Sequence, residues 1–155
     1  VASKPDGRRL DAWQALLLAQ RALLDRLEDD LRREHGLPLS SYEVLLFLSR
    51  APGRRLRMHE LAESVLLTPS GITRLVDRLE GEGLVSRESC PTDRRGSFVV
   101  LTEAGRARLR QAGPTHLRGI QEHFGRHLTD AEAETLACAL SRLAQGAGRP
   151  GPGAR

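Results

Sequence analysis

The sequence predicts a mainly α fold with one small β-hairpin, and three observations carry that prediction. Apolar residues recur at three- and four-residue spacing along most of the chain. Capping residues and Gly or Pro stops punctuate those stretches. Two β-like runs, LVSRE and SFVVL, stand close together and nowhere else. With 155 residues, 39% of them hydrophobic, the chain is long enough for one domain with a real core, or one core with appended helices.

The first helix is read from Leu10 to Leu31. Its apolar residues form one stripe of Leu10, Trp13, Leu17, Leu24, Leu27 and Leu31, and a second beside it of Ala12, Leu16, Ala19 and Leu23. One stripe suffices for one core, so the wider arc implies a second buried surface, most simply another subunit. Gly36 and Pro38 end this helix. Ser40 and Glu43 are spaced as a capping box that opens the second, SSYEVLLFLSR, which Ala51-Pro52-Gly53 closes. A short third helix, MHELAESVLL, presents Met58, Leu61, Ala62 and Val65 on one side. Thr68 then suits an N-cap and Pro69 the first helical position of the fourth, TPSGITRLVDRLEGEG.

The fourth helix divides into two faces. Ile72, Leu75, Val76 and Leu79 form the apolar stripe, with Ser70, Thr73, Arg74, Asp77 and Arg78 opposite, and Gly81 and Gly83 end it. The two strands follow, joined by SCPTDRRG. A fifth helix is capped by Thr102 with Glu103 in its first turn, and Gly113-Pro114 must kink or break it near the middle. Leu117, Ile120 and Phe124 share a stripe of its second half. The last helix opens on another capping box, Thr129 and Glu132, with Ala133, Leu136, Ala137, Leu140 and Leu143 inward. The tail GAGRPGPGAR has the composition of a disordered segment.

The net charge is +4 and the positive charge is carried by arginine, Lys4 being the only lysine. A GC-rich coding sequence accounts for most of that bias, and recognition of phosphates and base edges is compatible with it. Two cysteines, Cys90 and Cys138, without a CxxC pair, indicate neither a disulfide scaffold nor a zinc ribbon. No stretch approaches the roughly 18 apolar residues of a membrane span, and VASKPDGRRL lacks the apolar core of a signal peptide. The expectation is a soluble cytoplasmic protein, associated with the nucleoid. No nucleophile elbow, phosphate loop, dinucleotide fingerprint or HExxH occurs, so neither an enzyme nor a cofactor is expected.

Helix, helix, helix, hairpin over roughly residues 40–101, with a tight turn between the third and fourth helices, is the order of a winged helix-turn-helix. In that arrangement the second helix of the pair enters the major groove. Ser70 and the helix N-terminus suit a phosphate, and Arg74 a guanine edge. A polar face can also be merely solvated, and the hairpin tip decides between the readings. A tip that only reverses the chain needs no paired guanidinium groups, whereas Arg94 and Arg95 suit a narrow minor groove. Asp93 would be repelled by phosphate and is better placed to hold an arginine or the turn.

DRRGSFVVLT, preceded by TRLVDRLEGEGLVSR, resembles the MarR family of bacterial transcriptional regulators, whose wing carries Asp-x-Arg before an apolar strand and Leu-Thr. The match lies in Asp93, Arg95, Val100, Leu101, Thr102 and in the helix ending Gly83-Leu84-Val85, and the pattern of helices and wing runs from about Leu10 to Gln145. The resemblance implies a homodimer joined through its first, fifth and sixth helices. It further implies double-stranded DNA as partner, read at a palindromic operator with half-sites ~10 bp apart. Arg95 would then enter the minor groove, buttressed by Asp93. The DNA-binding candidates are Thr68, Ser70, Thr73, Arg74, Arg78, Asp93, Arg94 and Arg95. A repressor is the expected form, released by a small aromatic or phenolic effector in a cleft for which Arg21, His35, Tyr42 and His116 are candidates. The organisation expected is a disordered tail over 1–9, a dimerisation helix over 10–35, the DNA-binding domain over 36–101, C-terminal dimerisation helices over 102–145 and a disordered tail over 146–155.

Other readings stay beside this one. His123 and His127, four apart, have the spacing of metal ligands, but packing beside Leu117, Ile120 and Phe124 is preferred because no convincing second cluster accompanies them. Cys90, near Arg87, Arg94 and Arg95, has the surroundings of a redox thiol, and Cys138 reads as packing. A zinc- or redox-responsive regulator of the same fold is thus an alternative, and a helical interaction module without DNA is another.

Overall fold

The computed structural model describes residues 6–65, 69–90 and 93–146, with 69, 90 and 93–96 described in backbone only. The tails at 1–5 and 147–155 and the residues 66–68 and 91–92, Thr68 among them, lie outside this description. Helix α1 spans Gly7–His35, α2 Leu39–Arg50, α3 Met58–Val65, α4 Pro69–Gly81, α5 Glu103–His123 and α6 Asp130–Gly146. Strands β1 (Arg55–Arg57), β2 (Val85–Cys90) and β3 (Asp93–Leu101) form an antiparallel sheet in the order β1-β3-β2. None of the described helices is long and apolar enough to cross a membrane.

The main core is built where α2, α3 and α4 close on the sheet. Val44, Leu45 and Leu48, Leu61 and Val65, the α4 stripe of Ile72, Leu75, Val76 and Leu79, and Leu84, Val85, Val99 and Leu101 are all buried together. A second cluster of Leu31, Leu37, Leu39, Tyr42 and Ala112 joins the end of α1 and the start of α2 to α5, and Leu109 packs against both clusters. The three-residue strand β1 escapes sequence reading because RLR, with a single apolar residue, is too short to establish a period. It exists through its partner, Leu56 opposite Val99 and Arg57 opposite Phe98.

Several local expectations hold. Gly36 closes α1 in the left-handed region at φ 59°, and its N–H bonds the Arg32 carbonyl at 2.8 Å. Thr102 caps α5 by accepting from Gly105 N–H at 3.0 Å, and Thr129 and Glu132 cap α6 reciprocally.

Others are corrected. Ser40 and Glu43 do not cap α2. Its N-cap is Pro38, which has no side chain able to accept, and the Leu39 N–H instead donates to Glu28 Oε2 of α1 at 2.5 Å. A tertiary carboxylate has replaced the local box. Pro114 does not break α5, which continues through it to His123. Pro114 and Arg110, whose carbonyl loses its partner, both face solvent, while Ala112, Thr115 and Gly119 hold the helix from its buried side. Finally, α6 buries no residue within the chain. Ala133, Ala137, Leu140 and Leu143 are exposed, Leu136 is half-buried, and Cys138 is a free thiol exposed within the single chain.

The wide apolar arc of α1 is likewise open: Leu10, Trp13, Leu17 and Leu24 stand exposed, Trp13 at 56%. Leu117 and Ile120 of α5 and Phe124 at its C-cap are exposed too. Between the two helices runs an open apolar groove of about 270 Å³ lined by Leu23, Leu24, Leu27, Gly119, Ile120 and Phe124 among others.

Candidate nucleic-acid interface

Helix α4 turns the binary pattern of its sequence into a surface. Its apolar stripe is buried and Ser70, Thr73, Arg74, Asp77 and Arg78 are exposed on the other side, so packing on α3 and the sheet aims the polar face outward. Among the described residues Arg74 has no ion-pair or hydrogen-bond partner, leaving its planar fork free for a base edge. Arg78 is differently placed: its Nη2 donates to the buried Ser41 Oγ at 2.8 Å, and Glu82 lies 4.0 Å from its Nε. That guanidinium braces α4 against the first turn of α2.

The wing is longer than the sequence reading had it. β2 and β3 pair from Val85 opposite Leu101 to Cys90 opposite Asp93, with a register shift between Ser89 and Cys90. The backbone of Asp93, Arg94 and Arg95 therefore belongs to β3 and not to the connection, because the irregularity lets pairing continue toward the turn. The side chains of these three residues and of Cys90 lie outside the description.

Sequence reading gave Arg87 no part in this surface. Arg87 of β2 ties the wing to α4: its Nη2 donates to Asp77 Oδ1 at 2.5 Å, its Nη1 to Glu80 Oε2, and its backbone N–H to Glu80 Oε1 at 2.9 Å. The hydrogen bond to Asp77 raises the Arg87 pKa most, so the guanidinium stays charged. Asp77 and Glu80, three apart on one helix side with an arginine on the next strand, were the available signal. Arg55 and Arg57 of β1 were also overlooked; their guanidinium carbons lie 4.8 and 5.4 Å from the centroid of the Phe98 ring.

Three of the four effector-pocket candidates come together. Tyr42 is buried with its ring 4.4 Å from that of His116, and the His116 Nδ1 is buried with no hydrogen-bond partner among the described residues. Burial pushes the His116 pKa down and the Tyr42 pKa up, so both are neutral near pH 7. Beside them Thr115 donates to Glu34 Oε2 at 2.9 Å and pairs with His35 Nε2 at 2.8 Å. With its own proton given to Glu34, the Thr115 oxygen accepts from His35. Arg21 does not join this cluster; it is exposed on α1, fourteen residues before His35 and about 21 Å along the helix axis.

His123 is paired with Asp30, Nε2 to Oδ2 at 2.7 Å, and this bond is the chief cause of the lowered Asp30 pKa. His127 is exposed in the turn after α5, and the described residues contain no group of three or more His, Cys, Asp or Glu able to hold a metal.

Comparisons with known proteins agree with this geometry. The MarR family model matches residues 35–96. The HTH-type transcriptional regulator MhqR of Bacillus subtilis (strain 168) is 30% identical over 136 residues, covering 88% of this chain and 91% of that protein. Among solved structures, AbsC, a MarR family transcriptional regulator from Streptomyces coelicolor, superposes with a TM-score of 0.84 at 34% identity over 94% of this chain and 97% of its own. Sco3205 from the same organism, a MarR family transcriptional regulator solved in complex with DNA, superposes with a TM-score of 0.86 at 34% identity over 94% and 91%. The chain belongs to the MarR family and is a DNA-binding transcriptional regulator of winged helix-turn-helix form.

Proposed function

We propose that the protein is a homodimeric repressor that reads a palindromic operator, with Ser70, Thr73 and Arg74 of α4 in the major groove and Arg95 of the wing in the minor groove, Asp93 buttressing it. The observation that carries this is the exposed polar face of α4 above a wholly buried apolar stripe. Thr68 and Arg94 complete the contact to the backbone. Arg78 acts through its brace to Ser41. The homodimer covers the exposed leucines of α1, α5 and α6. A small aromatic or phenolic effector acts at Tyr42, His116 and His35, where the unpartnered His116 Nδ1 offers a hydrogen-bonding site beside a ring.

Binding to the DNA flanking its own gene, against unrelated DNA across a salt series, tests the reading. Log affinity is expected to fall with log salt by ~0.9 per neutralised phosphate, with a clear preference for the flanking duplex. Arg74→Ala is expected to remove ~1–3 kcal/mol of that preference. Equal, weak binding to both duplexes counts against sequence-specific regulation by this site.

Arg87→Ala has a different expected profile. Its salt bridges are partly exposed, the arginine side chain at 30%, so melting should shift little. DNA affinity should nevertheless drop roughly tenfold, since Asp77 and Glu80 then lack their counter-ion beside the phosphates and the wing keeps only its backbone N–H bond to Glu80. An unstable variant with unchanged affinity per folded molecule would show the clamp to be purely structural.

A further inference from the structure

We infer that the outer face of the β1–β3 pair is a second phosphate-binding surface, in which Arg55 and Arg57, held over the Phe98 ring, grip the DNA backbone beside the groove that the wing enters. The inference rests on the DNA-binding reading above and extends it to residues that reading does not use.

Arg55 and Arg57 are two apart on a strand, so their side chains leave the same face of the sheet. β1 is an edge strand, with β3 on its only hydrogen-bonded side. Both guanidinium groups converge on one ring, at 4.8 and 5.4 Å from its centroid, which concentrates positive charge on a single spot. Glu60 Oε2 is occupied by the Arg57 backbone N–H at 2.8 Å. The carboxylate beside Arg55 is weakly engaged: Glu88 Oε2 lies 3.6 Å from Arg55 Nη1, with both side chains about half exposed, at 53% and 51%. A bidentate phosphate contact is stronger than that pair. The stacked ring also fixes the guanidinium planes beforehand, so less side-chain entropy is lost on binding.

The occupant follows from continuity with the wing. Arg55 and Arg57 stack on a residue of β3, the strand that also carries Asp93, Arg94 and Arg95. Phe98 is three residues past Arg95, about 10 Å along the strand. A wing seated in a minor groove ~6 Å wide therefore brings its base against the phosphates on the groove's rim. Charges on an edge strand also deter pairing with another sheet, but that role asks for neither a shared ring nor proximity to a wing.

The test uses the full chain and two duplexes, the preferred one and an unrelated one, with affinity measured across a salt series. Arg55→Ala and Arg57→Ala should each lower the salt slope by ~0.9 and weaken binding equally on both duplexes, leaving the preference between them intact. Glu88→Gln, which removes the carboxylate beside Arg55, should tighten binding to both, an outcome no misfolded variant produces. An unchanged slope in the two arginine variants, or no gain in Glu88→Gln, overturns the inference while the DNA-binding reading stands. A wild-type protein that binds neither duplex overturns both.

Discussion

Gly105→Ala is expected to cost about 3 kcal/mol or more of stability, although alanine is the better helix former by ~1 kcal/mol. Gly105 is buried in the first turn of α5, and a Cβ added there would lie 2.0 Å from the Leu84 carbonyl oxygen and 2.8 Å from Leu101 Cδ1. The first obstacle is backbone, and it has little room to move. Leu84 O already accepts from Thr102 N–H and Thr102 Oγ1, at 3.2 and 3.0 Å, so displacing it disturbs the junction of β2, β3 and α5 at once. Helix propensity and steric exclusion thus have opposite signs here, and exclusion is larger. A urea titration that places the variant's midpoint at or above the wild type's would refute the argument.

Ile120→Asp is expected to dissociate the proposed homodimer and, with it, tight binding to the operator proposed for it. Ile120 is exposed in the single chain, so the substitution should leave the protomer's fold intact. In a two-fold interface each substitution appears twice, and burying a carboxylate costs several kcal/mol per ion. The association constant should therefore fall by about four orders of magnitude or more. Sedimentation at matched concentration reads the change directly. A dimer that persists would mean that the groove of Leu23, Leu24, Leu27, Ile120 and Phe124 serves something other than pairing.

Elements whose cause is local were legible in the chain. The two faces of α4, the Thr102 and Thr129 caps and the Gly36 stop each follow from residues within one or two turns. Elements whose cause is distant were not. Ser40 and Glu43 have the right spacing for a cap, yet Glu28, eleven residues before Leu39, reaches the donor first. RLR becomes a strand only because β3 supplies the partner, and α5 survives Pro114 because its opposite side is buried. The leucines of α6 have helical spacing but face nothing within the chain, since period reveals a stripe and not what covers it. At the interface, free cations such as Arg74 were readable from composition and face. The clamp of Arg87 on Asp77 and Glu80 was not, because it depends on how β2 returns past α4.

The fastening of α2 has a mechanical consequence. Its first turn is held by Glu28 of α1 on one side and by Arg78 of α4 on the other, so the reading helix is rigged to the end of a long rod. That rod, α1, has 29 residues and is about 43 Å long. With its far end anchored in the proposed pair, a tilt of about 5° would swing the winged unit by roughly 4 Å, slightly more than the 3.4 Å step between successive base pairs. A tilt of a few degrees is enough to carry a recognition helix off register by one rung.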